Sequence, residues 1–242
     1  MVSSVGIIGY GHFGKFLHEL AGRFFPEVHV KIYSRRSISD AQTFFTLEEA
    51  SACDVVILCG AINEYEEQLK SVLQYTSPNT VIIDVATVKK HTSELLRKHC
   101  EGCRFISTHP MFGPESYKKH DGNISDFKIV VTDYILQNDQ YQLIKNQFAK
   151  LGFLIIEMTA DEHDKRLAET LFLTHYVGQS ILMASFERTS IDTLSFQFLM
   201  DAVESVKDDK ALFLDVYRFN PYCKEVATHL HAAQQAVFKE LQ

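Results

Sequence analysis

Residues 4–14 read SVGIIGYGHFG. A short apolar run, with Val5, Ile7 and Ile8, leads into Gly9, Gly11 and Gly14 at GxGxxG spacing. HFGKFLHELAGRF (12–24) then places apolar residues at helical intervals. Strand, glycine turn and helix in that order are the context in which the spacing carries meaning. Gly9 allows the tight turn, Gly11 lets the backbone approach a pyrophosphate, and Gly14 lets helix and strand pack closely. The helix start, at His12 and Phe13, supplies N–H groups to the phosphates. The alternative is three turn glycines with no ligand. The position of the turn, at the first strand of an alternating α/β region, favours a dinucleotide site.

Outward from this unit, the chain alternates. VHVKIYS, DVVILCG, TVIIDVA, RFIS, KIVVTD and FLIIEMT are further short, apolar, β-branched runs, separated by helical pieces such as YEEQLKSVLQY and DQYQLIKNQFAKLG. Strands spaced by helices require crossovers, and so predict a mostly parallel sheet covered on both faces. The pattern changes near residue 159. TADE reads as a capping box, Thr159 with Glu162, opening one long helix through SILMASF. Further helices are expected over roughly 192–219 and 221–240, with Pro221 at a helix start. The expected fold class is α/β: a Rossmann-type domain over 1–158, then a smaller all-α domain over 159–242. The late helices are apolar around most of their circumference. They must pack on the first domain or on a second copy of the chain, and a homodimer built from 159–242 is expected.

Bulk properties exclude several classes. The net charge is −7, so no basic excess points to nucleic acid. No apolar run is long enough to span a bilayer. The chain enters its first strand at once, leaving no room for a signal peptide, so the cytoplasm is the expected location. The cysteines number five, and an odd number in that compartment reads as free thiols. Cys100 and Cys103 form a lone CxxC without the second pair a zinc site would want.

Three places carry chemistry. After the second strand, NAD enzymes tend to have an acid that binds the ribose. Here stand Ser34, Arg35 and Arg36, a hydroxyl and two cations that suit the 2′-phosphate of NADP; the alternative is two solvated arginines. DVATVK puts Thr87 at the carboxyl end of the fourth strand, where α/β sheets bind ligands. THPMFGPE (108–115) puts His109 after the next strand, in a loop bounded by Pro110 and Pro114. Histidine is the natural acid or base near neutral pH. Singly, Thr87 could be a helix cap and His109 a donor to backbone; together, beside a nicotinamide site, they read as a catalytic pair. His163 and His175 lie twelve residues apart on the long helix, about 120° around its axis, and so are not expected to serve one site jointly. His163 reads as a structural contact, and His175, in LFLTHYVG, as either a satisfied core histidine or a ligand.

GIIGYGHFG, DVATVK, THPMFGPES, DEHDKRLAETLFLTHYVG and YRFNPYCKE together resemble, in order, the landmarks of the prephenate and arogenate dehydrogenases, the plant-type arogenate enzymes most of all. The resemblance implies oxidative decarboxylation of a cyclohexadienol in tyrosine synthesis. It implies that His109 takes the proton of the ring hydroxyl. Thr87 stands where serine is usual and aligns that hydroxyl with the histidine. Glu115 would gate or line the pocket, and His175 would face the substrate. Where many members have an arginine for the ring carboxylate this chain has Asp215, with Arg218 one helical turn away as the substitute. The competing readings are another reductase of the same layout, acting on imines or hydroxyacids, and a non-catalytic sensor of nicotinamide redox state.

Overall fold

The seven apolar runs become seven strands. In a computed structural model that describes residues 2–242, they are β1 (Ser4–Ile8), β2 (His29–Tyr33), β3 (Val55–Leu58), β4 (Val81–Asp84), β5 (Arg104–Pro110), β6 (Lys128–Ile135) and β7 (Leu154–Glu157). They form one sheet in the order β2-β1-β3-β4-β5-β6-β7. Every pairing is parallel except β5 with β6. The strand order reverses between β1 and β3. That is the switch point where open α/β sheets hold ligands, at the carboxyl ends of the strands.

Helices α1 (His12–Phe24), α2 (Leu47–Ser51), α3 (Tyr65–Leu73), α4 (Lys90–His99), α5 (Pro114–Lys119) and α6 (Asn138–Lys150) connect the strands. Thr46 and Glu49 close a reciprocal capping box that starts α2. Ile7, Ile32, Val56, Ile82 and Phe105 are buried in the sheet. An aromatic cluster of Phe16, Phe112, Tyr117, Phe127 and Phe153 fills the space beside α1 and α5.

The chain divides into two compact units between Ala160 and Asp161. The second unit is helical: α7 (Ala160–Leu167), α8 (Leu173–Met183), α9 (Leu194–Val206), α10 (Lys210–Phe219) and α11 (Cys223–Glu240). Its details differ from the expectation in four ways. The long first helix carries a π-helical segment at Ala168–Phe172 and ends at Met183 rather than near Phe186. The stretch 192–219 is broken at 207–209 into α9 and α10. Pro221 lies before the N-cap Tyr222, outside α11.

The fourth difference concerns the two histidines. A π-turn inserts one residue, which removes about 100° of rotation. The 120° expected between His163 and His175 therefore shrinks to about 20°, and both lie on nearly one side. They remain about 18 Å apart along the axis. Phe172, in the π segment, is buried in a stack with Tyr176, Phe213 and Tyr217, with ring centroids 5.5–5.9 Å apart. That stacking holds the bulged turn.

Candidate active site

The glycine turn has the geometry its sequence requires. Gly9 adopts φ +110°, and a Cβ there would lie 2.9 Å from the Cys59 backbone. A Cβ on Gly14 would lie 2.1 Å from Gly9 O, so α1 approaches the strand end more closely than any side chain allows. Around Gly11, by contrast, a Cβ would meet nothing within 4 Å, which leaves that side of the turn open. No side chain caps α1 and no acid stands in its first turn, so the N–H groups at His12 and Phe13 meet no competing carboxylate there. These features fit a pyrophosphate.

Gly9 N–H donates to Tyr33 O (2.9 Å), which ties the turn to the end of β2 and so to Ser34. Ser34 Oγ accepts from Arg36 N (3.2 Å). Arg35 lies at the surface and is ion-paired with Glu64, from the 3₁₀ turn Ile62–Glu64 after β3. A sequence reading could not see this partner, because Arg35 and Glu64 belong to different crossovers.

His109 is not in a loop. It is the sixth residue of β5, pairs opposite Val130 of antiparallel β6, and is buried. The correction has a local cause. β6 returns alongside β5, and the pairing skips Thr132 in a bulge opposite Ser107 and Thr108. Bulges of this kind re-aim neighbouring side chains and are frequent beside active sites. After the strand, Met111 N–H donates to Lys128 O (2.8 Å), and Phe112 stacks on Phe127 (centroids 4.9 Å, 13°) and Phe153. Ladder pairing and this aromatic anchor hold the segment, more than its two prolines. Pro114 is the first residue of α5, where its missing N–H costs nothing. Gly113 has an extended backbone and open space where a Cβ would stand, so no close approach within the protein explains it.

Thr87 is partly buried in the turn between β4 and α4. Beside it lies a polar cluster that the sequence reading missed. Asp84 and Lys89, both fully buried, form an ion pair at 2.5 Å. Asp84 Oδ2 also accepts from Thr92 Oγ1 (2.8 Å) and Ser107 Oγ (2.9 Å), and Oδ1 from Ala86 N (2.9 Å). Lys89 Nζ donates to Thr108 O (2.5 Å), and Thr108 Oγ1 to Asp84 O (2.7 Å). Burial and the nearby Asp84 charge push the Cys59 thiol and the Tyr65 hydroxyl above their usual ranges. The signal in the sequence was an Asp and a Lys five residues apart on either side of a strand end.

The glycine turn, Thr87 and His109 thus share the carboxyl edge of one sheet. Glu115 does not share that burial: it is exposed on α5 and paired with Lys118 (3.3 Å). In the helical unit, His175 is buried. Its Nδ1 donates to Leu171 O (2.9 Å), and its Nε2 is buried without a hydrogen-bond partner; Asp209 Oδ2 stands 3.7 Å away, beyond hydrogen-bond range. With Nδ1 as donor, the neutral ring presents an acceptor at Nε2. His163 Nδ1 contacts Asp164 Oδ1 (2.8 Å), as a structural histidine would. Asn220 donates to Asp164 O (2.8 Å) and accepts from Tyr222 N (3.0 Å). Asp215 is buried on α10 and Arg218 is exposed.

Among the described residues no helix is long and apolar enough to cross a membrane, and no cluster of metal-binding side chains occurs. All cysteines are free; burial, with Cys103 beside it, pushes the Cys100 thiol up to about 12.

The mostly parallel sheet and its glycine turn define a Rossmann-type nucleotide-binding protein. Residues 23–156 match the family model described as "Prephenate dehydrogenase, nucleotide-binding domain". The chain belongs to that family. It is 30% identical over 254 residues to arogenate dehydrogenase 1, chloroplastic, of Arabidopsis thaliana, covering 98% of this chain and 39% of that protein. Against arogenate dehydrogenase 2 of the same plant it is 30% identical over 252 residues, covering 98% of this chain and 69% of the relative. The chain therefore spans about two fifths of the first relative's length and about two thirds of the second's. In fold it resembles the Aquifex aeolicus prephenate dehydrogenase solved with hydroxyphenyl propionate and NAD+, at a TM-score of 0.76 and 17% identity, covering 100% of this chain and 91% of that one.

Proposed function

We propose that the protein catalyses the NADP-dependent oxidative decarboxylation of arogenate, with prephenate as the second-ranked substrate, in tyrosine biosynthesis. The observation that carries the reading is His109, a buried imidazole on the sheet edge that also bears the glycine turn. The free thiols agree with a cytoplasmic enzyme.

His109 takes the proton of the ring hydroxyl as the base. Thr87, from the neighbouring turn, keeps that hydroxyl in register with the imidazole. The bound nicotinamide supplies the hydride acceptor for the C–H bond at the same carbon. The ring carboxylate leaves as CO2, and the electron pair of its C–C bond completes the aromatic ring. Positioning lowers such a barrier only when the geometry is tight, and a base on a paired strand has that tightness. His175 faces the substrate through Nε2, whose buried, unpaired acceptor a substrate donor would satisfy. Arg218 takes the ring carboxylate and Glu115 gates the pocket.

Gly9, Gly11, His12, Phe13 and Gly14 hold the pyrophosphate, and Ser34, Arg35 and Arg36 the 2′-phosphate. The domain over 1–158 serves the cofactor, and 159–242 serves substrate and dimerisation. For the dimer the support is the number of large apolar side chains left exposed on the helical unit, among them Met183, Phe186, Ile191, Leu194, Phe198 and Phe238.

The test is a turnover assay with arogenate and prephenate, each against NAD and NADP. Arogenate with NADP should give the highest kcat/KM. Turnover of neither substrate would end the reading.

A further inference from the structure

We propose that Asp84 and Lys89 are positioning residues: their buried ion pair clamps the turn carrying Thr87 to the strand carrying His109. This inference rests on the catalytic reading above.

Each oxygen of the Asp84 carboxylate has assigned work. Oδ1 receives the N–H of Ala86, the residue before Thr87. Oδ2 receives Lys89, Thr92 at the start of α4, and Ser107 on β5. Lys89 then crosses to the carbonyl of Thr108, the residue before His109 (2.5 Å). Thr108 returns the bond with its hydroxyl to the Asp84 carbonyl (2.7 Å). A single carboxylate is therefore bonded to the neighbour of one candidate residue and, through one ammonium, to the neighbour of the other. Strand pairing alone fixes β5 against β4, but it does not reach the turn at 85–89.

The energetics point the same way. Both charged groups are fully buried. A buried ion pair contributes little net stability over a well-packed apolar pair, because two charges must be desolvated. Removing one partner is costly, whereas removing both is often nearly neutral. A pair kept only for stability would be replaceable. A pair kept for geometry would not be, and the two cases respond differently to the double variant.

The variants are Lys89→Met, Asp84→Asn and the two combined. Each single variant should lower kcat about 10- to 100-fold, the loss that a misplacement of about 1 Å brings. KM and NADPH affinity by fluorescence should stay within about twofold, as for a loss confined to the transition state. In the double variant, thermal stability should recover towards wild type while kcat stays low. A readout independent of turnover is the ring signals of ¹³C-labelled histidine, with His109 assigned by comparison with His109→Asn. In Lys89→Met and in the double variant the His109 signal should move.

The proposal is overturned if kcat recovers together with stability in the double variant. A folded Lys89→Met with wild-type kcat and an unmoved His109 signal overturns it equally. Should Lys89→Met fail to fold, Ser107→Ala removes one bond to the same oxygen, and should lower kcat roughly three- to tenfold and move the same signal. If the wild-type protein turns over neither substrate, the catalytic reading fails. The histidine signals then still decide whether the clamp sets the position of His109.

Discussion

Adding one methyl group at Gly14 and, separately, at Gly11 tests the cofactor site through two predictions of opposite kind. At Gly14 the new Cβ would lie 2.1 Å from Gly9 O and 3.1 Å from Gly9 C, both backbone atoms that no rotamer change can move. An ordinary carbon–oxygen contact needs about 3.3 Å, so α1 must withdraw by roughly 1.2 Å. Overpacking of this kind costs about 1–3 kcal/mol. Alanine recovers up to about 1 kcal/mol through helix propensity, leaving a net loss of about 0–2 kcal/mol. The withdrawal also moves the helix N–H groups off the phosphate. Losing one charge-assisted hydrogen bond, about 1.5–3 kcal/mol, weakens cofactor binding about ten- to hundredfold. At Gly11 the new Cβ meets no protein atom within 4 Å, and φ −76° suits alanine. Gly11→Ala should therefore leave stability within about 1 kcal/mol, because reduced unfolded-state entropy and the poorer N-cap offset each other. It should still weaken binding by at least about tenfold, since the methyl occupies the space a pyrophosphate would use. Urea denaturation and fluorescence titration with NADPH measure the two quantities separately. A Gly11→Ala protein that binds NADPH as wild type does would refute the reasoning, because the open side of the turn would then face no ligand.

His109→Asn should lower turnover by about 10²–10⁴, the usual worth of a general base, with cofactor affinity little changed; Thr87→Ala should cost less, because it orients rather than transfers, and steady-state kinetics checks both. Arg35→Ala should raise KM for NADP about two- to thirtyfold and leave NAD nearly unchanged: a phosphate contact of about 1.5–3 kcal/mol is reduced by up to about 1 kcal/mol for the surface pair with Glu64. Added salt should weaken NADP more than NAD, and equal use of both cofactors by the wild type would sink the assignment. Light scattering at micromolar concentration should give twice the 27.7 kDa chain mass; a clean monomer would remove the dimer. The carboxyl of Glu66 on α3 is held down at about 2 by His99, Lys70 and Lys98. Its folded value lies below the unfolded one, so its contribution is present above about pH 4.5 and is lost as pH falls towards 2. Glu66→Gln should flatten acid denaturation across that window, and an unchanged pH profile would count against it.

All seven strands were legible in the sequence, because apolar β-branched runs between turns are a local signal and a parallel sheet buries both faces of its strands. The glycine turn was equally legible: its constraint acts between residues only five apart, Gly9 and Gly14. Tertiary structure decided what depends on partners distant in the chain. His109 looked like a loop residue beside two prolines until β6 returned antiparallel to β5 and took it into the ladder. Phe112, a bystander in THPMFGPE, became the anchor once Phe127 and Phe153 stacked on it. The π-turn turned His175 towards the side of His163, which no count at 100° per residue could foresee. Arg35 met Glu64 only because two crossovers meet at the same edge. Asp84 opens the stretch DVATVK, but its partners Ser107 and Thr108 lie more than twenty residues away, so the stretch alone did not show what the carboxylate holds. Local periodicity selects strands and helices because each such choice is made within a few residues. Which polar groups meet in the interior is decided by the packing of whole elements, when every buried donor and acceptor must find a partner at once.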